Sequence, residues 1–324
     1  MKIIFISSYQ GEVERGVENY AAELAQRLGR KCQVIILTSF WQLFGKQATT
    51  FQKRSDLSRL GLTIIYPLNG YWQAFGCRLY SWLTGAKLVL GGHAGIGRDD
   101  RWNLFMFPDL FFAFSQKGFD WAKKVNPFVK IVKIPHGVNL EKFNSNVKQA
   151  DLNLERPRFV TAANLVSYKR VAETVKAVAE LKKGSLLILG DGLLEKEIDE
   201  MGNRLLGARR YLRLKVPYSE MAKYLNACNV FTLVSEESEA FGLVYLEALA
   251  CNLPVVATDD SLRRELIGDA GLFIKNPKDS QEYARVLEVA VNTDWGDRQI
   301  SQVRKFNWEA ISQRYSSIFS QLEM

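Results

Sequence analysis

Two glutamates eight positions apart carry the strongest chemical signal in the chain. Glu239 and Glu247 close the two ends of the stretch Glu-Ala-Phe-Gly-Leu-Val-Tyr-Leu-Glu, with Gly242 between them. Residues with this spacing do not share one helix face, so we expect Glu239 in a loop and Glu247 in the second turn of a helix that begins near Leu243. The N–H groups at a helix start form an anion site, and glycine lets a ligand approach the backbone there. One carboxylate then reaches the reacting end of a ligand and the other its distal hydroxyls.

A basic pair supplies cations for such a ligand. Lys169 and Arg170 follow the predicted strand Arg158–Ala162 at the start of a predicted helix, and both side chains suit phosphate oxygens. The chain contains no Asp-x-Asp sequence, which is the usual signature of metal-dependent sugar-nucleotide transfer on a single Rossmann-like sheet. We therefore expect protein cations, not a metal, to neutralise a diphosphate. An ordinary exposed basic pair is the alternative.

Two further glycine-rich turns fit phosphate loops less well. The turn from Gly92 to Asp99 approaches a Walker A sequence, but Arg98 and Asp99 stand where Lys and Ser or Thr are required. Gly190-Asp191-Gly192 follows a predicted strand, but Glu195 replaces the third glycine of a dinucleotide fingerprint. These departures exclude a P-loop and leave an NAD-dependent enzyme as a weaker alternative.

Metal-ligating and redox residues are sparse. The chain has only two histidines, and its four cysteines lie far apart without a C-x-x-C pair, which favours buried free thiols over a zinc site or disulfides. The sequence therefore predicts no metal site and no cofactor.

Short β-branched runs alternate with helical stretches along the 324 residues, which predicts two doubly wound domains with parallel sheets that face each other across a cleft. The polar stretch Glu141–Glu155 is the predicted linker, and Asn307–Leu322 is a predicted amphipathic helix. The predicted strands are Lys2–Ser7, Gln33–Thr38, Leu62–Tyr66, Lys87–Leu90, Leu110–Ser115, Ile131–Ile134, Arg158–Ala162, Ser185–Leu189, Tyr211–Leu214, Val230–Val234, Pro254–Ala257 and Leu272–Ile274. The predicted helices before the last one are Glu18–Leu28, Lys169–Leu181, Leu193–Leu205, Tyr218–Ala227 and Leu243–Cys251.

Charge is unevenly distributed between the halves. Residues 1–150 hold 20 Lys and Arg against 10 Asp and Glu, whereas residues 151–324 hold 23 against 25. A basic first half indicates an anionic partner such as a membrane surface or phosphorylated lipid, and no aromatic or zinc-finger motif supports nucleic acid. A solvated basic face is the alternative.

No apolar run approaches the roughly 18 residues of a membrane span and no signal peptide is evident, so a cytoplasmic location is expected.

Aromatic residues cluster in the same half. They could stack on sugars or touch lipid, although we expect most of them to lie in the core. The cluster comprises Trp41, Phe44, Tyr71, Trp72, Phe75, Tyr80, Trp82, Trp102, Phe105 and Phe107.

The motifs resemble the family-four retaining glycosyltransferases of the GT-B fold. The similarity is close over residues 158–275 and looser in the first half, where Arg15–Tyr20 and Ile134–Phe143 carry it. The motifs that carry it are Lys169-Arg170-Val171, Gly190-Asp191-Gly192-Leu193, Val216-Pro217, Asn226–Phe231, Ser235–Thr258 and Glu265–Phe273.

The resemblance implies a role for each matching residue. Glu239 would lie beside the transferred sugar, Glu247 would hold the ribose, and Lys169 would bind the diphosphate together with Arg170. His93 would act on a first-domain loop near the donor sugar, with a histidine satisfied within its own turn as the alternative. The remaining donor-binding positions would be Gly16, in a loop that closes over the donor, Gly190 and Val216 at the nucleotide, and the backbone of Phe241, Gly242 and Leu243.

Four positions depart from the family pattern. Asn164 stands where an arginine usually partners the lysine, which removes a full charge that Arg170 could replace. Arg15 replaces the first of two glycines, and Ala240 replaces a common glycine beside Glu239. His136 stands where the linker motif usually has asparagine, and we interpret it as structural.

The resemblance predicts an acceptor-binding domain at residues 1–145, a nucleotide-sugar-binding domain at 146–300, and a helix at 301–324 that returns to the first domain. The predicted activity is metal-independent, retaining transfer of a hexose from a UDP- or GDP-linked donor to a glycan or lipid-linked acceptor in surface polysaccharide or glycolipid synthesis. Contact with an anionic membrane is possible and no nucleic-acid partner is expected. A non-catalytic nucleotide-sugar-binding scaffold is the alternative, favoured by Asn164 and Arg15.

Overall fold

The chain divides into two compact units. The computed structural model describes residues 1–8, 16–44, 61–237 and 239–322. The first unit comprises Met1–Gly137 with Asn307–Met324, and the second comprises Val138–Phe306. The sequence-based boundaries lie at 145/146 and 300/301.

The first unit is built on a parallel sheet. Its six described strands lie in the order β2-β1-β3-β4-β5-β6, and every neighbouring pair runs parallel. Each strand lies within two residues of its predicted bounds, because β-branched and aromatic runs with buried side chains mark strands of a covered parallel sheet. The strands are β1 (Lys2–Ile6), β2 (Gln33–Leu37), β3 (Thr63–Pro67), β4 (Lys87–Gly91), β5 (Leu110–Ala113) and β6 (Ile131–Lys133).

Helices cover this sheet, and three of them were not predicted. The predicted helix α1 spans Gly16–Leu28. The additional helices are α2 (Trp72–Thr84), α3 (Arg98–Phe105) and α4 (Gln116–Val125), and a 3-10 turn spans Phe40–Leu43.

The last helix of the chain, Trp308–Ser320, belongs to the first unit. A Cβ atom on Gly137 would lie 2.4 Å from the Trp308 ring, so only glycine allows this close packing. The Tyr20 hydroxyl of α1 donates a hydrogen bond to the Tyr315 hydroxyl over 2.9 Å. The expected return of the C-terminal helix to the first domain is therefore confirmed.

The second unit repeats the architecture with a different strand order. Its described strands lie in the order β12-β11-β10-β7-β8-β9, all parallel. The chain moves outward in one direction from β7 and in the other from β10, so the crevice at the carboxyl ends of this adjacent pair is where such sheets bind ligands. The strands are β7 (Arg158–Ala162), β8 (Ser185–Leu189), β9 (Tyr211–Leu214), β10 (Val230–Leu233), β11 (Val255–Thr258) and β12 (Gly271–Ile274).

The helices of the second unit begin with α5 (Val171–Glu180), which follows a 3-10 turn at Ser167–Lys169. They continue with α6 (Glu195–Leu205), α7 (Met221–Asn226), α8 (Leu243–Ala250), α9 (Ser261–Ile267), α10 (Ser280–Asn292) and α11 (Arg298–Val303), and the last helix of the chain is then α12.

The stretch predicted as a linker, Glu141–Glu155, is folded onto the second unit. Leu152 and Leu154 are buried, and the Arg158 guanidinium donates to the Leu152 carbonyl over 2.7 Å. The Asn226 amide donates to the carbonyls of Asn144 and Val147 over 2.9 and 2.8 Å. The stretch is therefore not a free linker, because side chains of the second unit donate hydrogen bonds to its backbone carbonyls.

None of the helices in the described ranges has both the length and the apolar character that a membrane crossing requires. Two parallel α/β units with the last helix returning to the first unit define the GT-B fold, which agrees with the predicted fold class.

Candidate functional site

The predicted donor residues of the second unit gather at the carboxyl ends of β7 and β10. The loop after β7 carries Lys169 and Arg170, and the loop after β10 carries Glu239 and Gly242. Because β7 and β10 are neighbours in the sheet, their following loops lie side by side. The strand order therefore brings together residues that are 70 positions apart in sequence.

Lys169 and Glu239 form a direct ion pair. The Lys169 ammonium donates to Glu239 Oε2, and the two side chains are 13% and 11% exposed. The ammonium also lies 5.1 Å from the centre of the Tyr168 ring. Burial, together with the Glu239 carboxylate, raises the pKa of Tyr168. The ammonium and the carboxylate thus lie together with little water around them. Because water screens charge, its near absence strengthens the electrostatic attraction of each group to a bound ligand.

Arg170 does not add its charge to this pair. It adopts a left-handed backbone with φ of 52°, and its guanidinium lies 3.4 Å from Glu236 Oε1. The Glu236 amide also donates to the Tyr168 carbonyl over 2.8 Å. The structure thus uses Arg170 to join the loops after β7 and β10.

The helix start at Gly242 is shaped for an anion. Gly242 has φ of 84°, a region that favours glycine, and a Cβ atom there would lie 2.6 Å from the Tyr245 ring. No side chain in the described part of the chain caps this end of α8. The amides near Leu243 are therefore available at the positive end of the helix dipole. The Phe241 side chain is buried, so only its backbone can serve a ligand.

Glu247 lies in the second turn of α8, as the spacing predicts. Its carboxyl is buried and Oε1 accepts a hydrogen bond from the Tyr218 hydroxyl over 2.8 Å. Burial raises the pKa of Glu247 to about 7, although the Tyr218 hydrogen bond acts in the opposite direction. The Tyr218 ring packs against the Phe143 ring, with 5.4 Å between the ring centres. Glu247 is therefore a hydrogen-bonding group whose charge depends on pH near neutrality.

The glycines after β8 serve the neighbouring loop. A Cβ atom on Gly190 would lie 2.1 Å from the Ala163 carbonyl oxygen, and one on Gly192 would lie 2.4 Å from Asn164 Oδ1. Both glycines have positive φ, 144° and 152°. They allow the loop that carries Asn164 to pass close to β8. Val216 follows β9 and is half-buried.

Glu195, which stands where a dinucleotide fingerprint has its third glycine, forms an ion pair with Arg213. Its carboxylate lies 2.7 Å from Arg213 Nη2, which also binds Asp199 over 2.8 Å. The Asp199 carboxylate in turn accepts from the Tyr211 hydroxyl over 2.7 Å. The position where a dinucleotide site would need glycine is thus filled by an ion-pair network.

Arg263 is a site-supporting residue that sequence reasoning missed. Its side chain is fully buried on α9, where it pairs with Asp260. Nη2 donates to Ser235 Oγ over 2.6 Å and to the Glu236 carbonyl over 2.8 Å. The only sequence signal was the pair Arg263-Arg264, and the sequence does not show which of the two arginines faces inward. Arg263 therefore fixes the start of the loop that presents Glu239.

The first unit places His93 in a cluster of aromatic rings. Nε2 lies 3.2 Å from the Tyr66 hydroxyl, and the ring centre lies 4.7 Å from that of Phe114 and 5.0 Å from that of Tyr20. Burial lowers the pKa of His93 to about 3, which keeps the imidazole neutral at physiological pH. Nδ1 is buried with no hydrogen-bond partner among the described residues. The arrangement makes His93 a neutral hydrogen-bonding group.

Gly16 is the first residue of α1 and is exposed. Arg15, the departure from the family pattern next to it, lies outside the described residues.

The chemistry available in the second unit suits a phosphorylated ligand with hydroxyl groups. A cation and an uncapped helix start can stabilise phosphate oxygens, while two carboxylates can accept from hydroxyls. Within the described ranges, no three His, Cys, Asp or Glu side chains are grouped so that they could bind a metal ion.

Comparison with known proteins places these residues in a family context. The chain is 29% identical over 183 residues to a Bacillus subtilis protein named as the teichuronic acid biosynthesis glycosyltransferase TuaC, a match that covers 54% of this chain and 45% of that protein. The chain thus spans less than half the length of this curated relative.

Solved structures match over nearly the whole chain. Sucrose-phosphate synthase from Thermosynechococcus elongatus has a TM-score of 0.79 at 19% identity, with 99% of both chains covered. Anabaena HepE in complex with UDP and glucose has a TM-score of 0.75 at 19% identity, with 99% of this chain and 100% of that chain covered. At this identity the likeness establishes the shared fold.

The profile of the family described as glycosyl transferases group 1 matches residues 142–303, which is half of the chain. The matched stretch contains the loops after β7 and β10 and the whole of α8, with both glutamates and Lys169. This protein therefore belongs to the glycosyl transferases group 1.

Proposed function

We propose that the chain is a retaining, metal-independent glycosyltransferase. It moves a hexose from a nucleoside-diphosphate sugar, UDP- or GDP-linked, to a glycan or lipid-linked acceptor in the synthesis of a surface polysaccharide or glycolipid. The bound UDP and glucose named for the HepE structure support such a donor, and the named role of TuaC in teichuronic acid biosynthesis supports such an acceptor.

The observation that carries this proposal is the Lys169–Glu239 pair beside the start of α8. A diphosphate has negative charge for the ammonium and for the amides near Gly242, and a hexose has hydroxyls for the Glu239 carboxylate. A donor that reaches both groups replaces part of the ion pair with contacts of its own. The residues thus fit a ligand with an anionic half and a hydroxyl-bearing half.

In the proposed reaction, the bond between the anomeric carbon and the diphosphate oxygen breaks. The acceptor hydroxyl oxygen forms a bond to the same face of that carbon, and its proton passes to the departing phosphate oxygen. Lys169 and the backbone amides of Phe241–Leu243 stabilise the charge that develops on the diphosphate. Glu239 positions the sugar and forms no covalent bond with it.

Glu247 completes the donor site through the nucleoside. Its buried carboxyl, held by Tyr218, is placed to accept hydrogen bonds from ribose hydroxyls. Two hydroxyls bound by one oriented carboxylate fix the nucleoside end of the donor, so the transferred sugar is held at a constant distance from it.

A thermal-shift panel tests the donor site. The purified chain is heated with UDP, GDP, ADP, dTDP or NAD, each with and without EDTA. A ligand at 100 times its Kd adds about 2.7 kcal/mol to the free energy of unfolding, so binding is readily measured. We expect one nucleoside diphosphate to stabilise the chain equally with and without EDTA, and stabilisation by NAD alone would contradict the proposal.

A double substitution separates transfer from binding. Glu239→Ala/Glu247→Ala should abolish sugar transfer measured with the nucleotide identified above. Full transfer by this variant would refute the site. Nucleotide binding by the parent without any transfer to glycan or lipid-linked acceptors would instead favour the non-catalytic scaffold, for which Asn164 in place of the family arginine is the motivating feature.

A further inference from the structure

Helix α2 of the first unit carries large apolar side chains on its outer side. Trp72, Phe75, Leu79, Trp82 and Leu83 recur at helical spacing, and Trp72 and Trp82 are 77% and 65% exposed. A helix on the surface of a water-soluble domain normally presents charged residues outward. Only one charged residue, Arg78, occurs in Trp72–Thr84.

The side of α2 that faces the sheet explains why the large apolar side chains point outward. Ala74, Cys77 and Ser81 are buried and small, so the helix lies close to the sheet, and Tyr80 is the one large side chain that the helix buries. Gly76 allows the Phe40 ring to pack against the helix, since a Cβ atom there would lie 2.5 Å from that ring. The outward tryptophans are thus a consequence of how the helix is seated.

Neighbouring elements extend the same surface. Trp41, 70% exposed, follows Phe40 in the 3-10 turn that packs on α2. The Arg98 guanidinium at the start of α3 lies 5.8 Å from the centre of the Tyr71 ring, next to the start of α2. Trp102 on α3 is half exposed. We call α2, the Phe40–Leu43 turn and α3 together the aromatic face.

The charge around the aromatic face is positive. Residues 61–134 hold nine Lys and Arg against four Asp and Glu. Asp100 is buried, and Asp109 pairs with Arg78 and Lys87 over 3.2 and 3.3 Å, so the charges of these four residues are largely unavailable to a partner. Arg98 and Arg101 on α3 are exposed, and Lys123 and Lys124 are exposed on α4, which packs against α3. Positive charge therefore lies beside the aromatic face.

We propose that the aromatic face docks on the surface of an anionic lipid bilayer. Tryptophan side chains are stabilised at the boundary between lipid tails and headgroups, and each nearby Lys or Arg adds roughly 1 kcal/mol of attraction to anionic lipid. A second copy of the chain is a poorer occupant, because a two-fold contact would place two positive faces against each other. The membrane contact is independent of the proposed transferase activity, although it would bring the unit to a lipid-linked acceptor.

Vesicle flotation tests this contact. The purified chain is mixed with vesicles of phosphatidylcholine alone or with 30 mole per cent phosphatidylglycerol, where roughly one lipid in three is anionic. We expect flotation with the anionic vesicles, weaker flotation with the neutral ones, and partial release at high salt. Failure to float with either kind of vesicle would overturn the proposal.

Two tryptophan substitutions sharpen the test. Trp72→Ala and Trp82→Ala should each lower the vesicle affinity about tenfold, the factor expected for one buried aromatic side chain, and the double variant should lose roughly a hundredfold. Val289→Ala, which removes exposed apolar area from α10 of the second unit, is the matched control and should float like the parent. Equal flotation of the double variant and parent would overturn the proposal.

Two further measurements separate this proposal from its competitors. The double variant should keep the nucleotide-induced thermal shift of the parent, so loss of membrane binding cannot be attributed to misfolding or to failure of the donor site. Light scattering without lipid should give the same mass for both proteins. A dimer that the double substitution dissociates, with no flotation of the parent, would identify the face as a contact between chains.

Discussion

The two units share a parallel-sheet architecture but differ in the buried groups that follow their strands and in the apolar surface of their helices. The second unit buries charge, because Arg263 is fully enclosed with Asp260, and the Lys169–Glu239 pair is nearly enclosed. The first unit also encloses an ion pair, Glu23 with Arg27 on α1, but it keeps His93 and Asp100, which follow β4, in their neutral forms. Burial lowers the pKa of His93 to about 3 and raises the pKa of Asp100 to about 8.

The outer surfaces of the two units differ in the exposure of their tryptophan side chains. The first unit exposes tryptophans on α2, whereas the partly exposed tryptophan of the second unit, Trp295, donates its indole N–H to the Ala290 carbonyl over 2.9 Å. In our proposals, one fold class serves two kinds of recognition, a donor in the second unit and a lipid surface in the first. We expect the second unit to respond to removal of charge, and the first unit to respond to changes in shape and apolar area.

Removal of Arg263 should produce the largest effect on stability. Arg263→Met leaves Asp260 buried without its partner and the Ser235 loop without its donors, which costs about 3–5 kcal/mol. Arg264→Met is the control, since this neighbouring arginine is 58% exposed and water screens its pair with Asp259. Urea unfolding of both variants measures the difference, and equal midpoints would show that Arg263 does not support the loop.

Arg263 should also affect turnover through the loop that it holds. Arg263→Lys restores the charge, but its single nitrogen cannot replace both Nη1, which pairs with Asp260, and Nη2, which donates to Ser235 and Glu236. We expect it to recover part of the stability while kcat stays below that of the parent. Full recovery of kcat by lysine would mean that charge alone, and not the placement of the loop, is required.

Loss of the Lys169 ammonium should be the largest purely catalytic effect. Lys169→Ala removes a cation from the position proposed for the diphosphate, for which a drop in kcat of about a hundredfold to a thousandfold is expected. The control is Lys176→Ala, an exposed lysine on α5 that follows the same loop. Steady-state kinetics at saturating donor measure both, and comparable turnover in the two variants would remove Lys169 from the site.

The elements that could be predicted are those whose interior side chains have the pattern of a buried strand. Arg158–Ala162, Ser185–Leu189 and Tyr211–Leu214 were predicted to the residue, because short β-branched and aliphatic runs end at polar turns. Helix α2 was missed for the converse reason. Apart from the buried Tyr80, its large apolar residues face outward and its small residues face inward, so the sequence shows no continuous apolar stripe for the core.

The expectation that most first-half aromatics lie in the core was therefore wrong. Of the ten, Tyr80 is buried, whereas the others, including Trp72 and Trp82, are more than a third exposed. The placement of Lys169, Glu239 and Gly242 after neighbouring strands was predictable because glycine, paired glutamates and a basic pair follow local spacing rules, while their role in donor binding stays a prediction. The role of Arg263 was not predictable, because its partners Ser235 and Glu236 lie in the loop after β10. Long-range packing decides whether Arg263 or Arg264 faces the interior.

Substitution of His93 tests whether a neutral buried group of the first unit contributes to the reaction. A neutral imidazole can stabilise a charged transition state through one hydrogen bond, about 1.5–3 kcal/mol, so His93→Ala should lower kcat roughly tenfold to a hundredfold with little change in donor affinity. Tyr66→Phe is the control, because it removes the partner at Nε2 but leaves the imidazole. Equal turnover in His93→Ala and the parent would assign the histidine to packing.

Glu247 should give the smallest effect, a pH dependence of nucleotide binding. With its pKa raised to about 7, the carboxyl is mostly protonated at pH 6 and mostly ionised at pH 8. If the ionised form accepts the ribose hydroxyls, nucleotide affinity should rise several-fold over this range, with a ceiling of about tenfold per unit of pKa shift. Titration calorimetry of the parent and Glu247→Gln measures it, and the glutamine variant should show no rise.

The Glu247 carboxyl should also make folding depend on pH, but in the opposite direction to nucleotide affinity. A carboxyl whose pKa is higher in the folded chain than in the unfolded chain binds more protons when folded, so the free energy of unfolding declines as pH rises from about 4.5 to about 7. Glu247→Gln should remove this decline together with the rise in affinity. If only the decline disappeared and the affinity still rose with pH, another group would be binding the ribose, and the charged interior of the second unit would serve stability alone at this position.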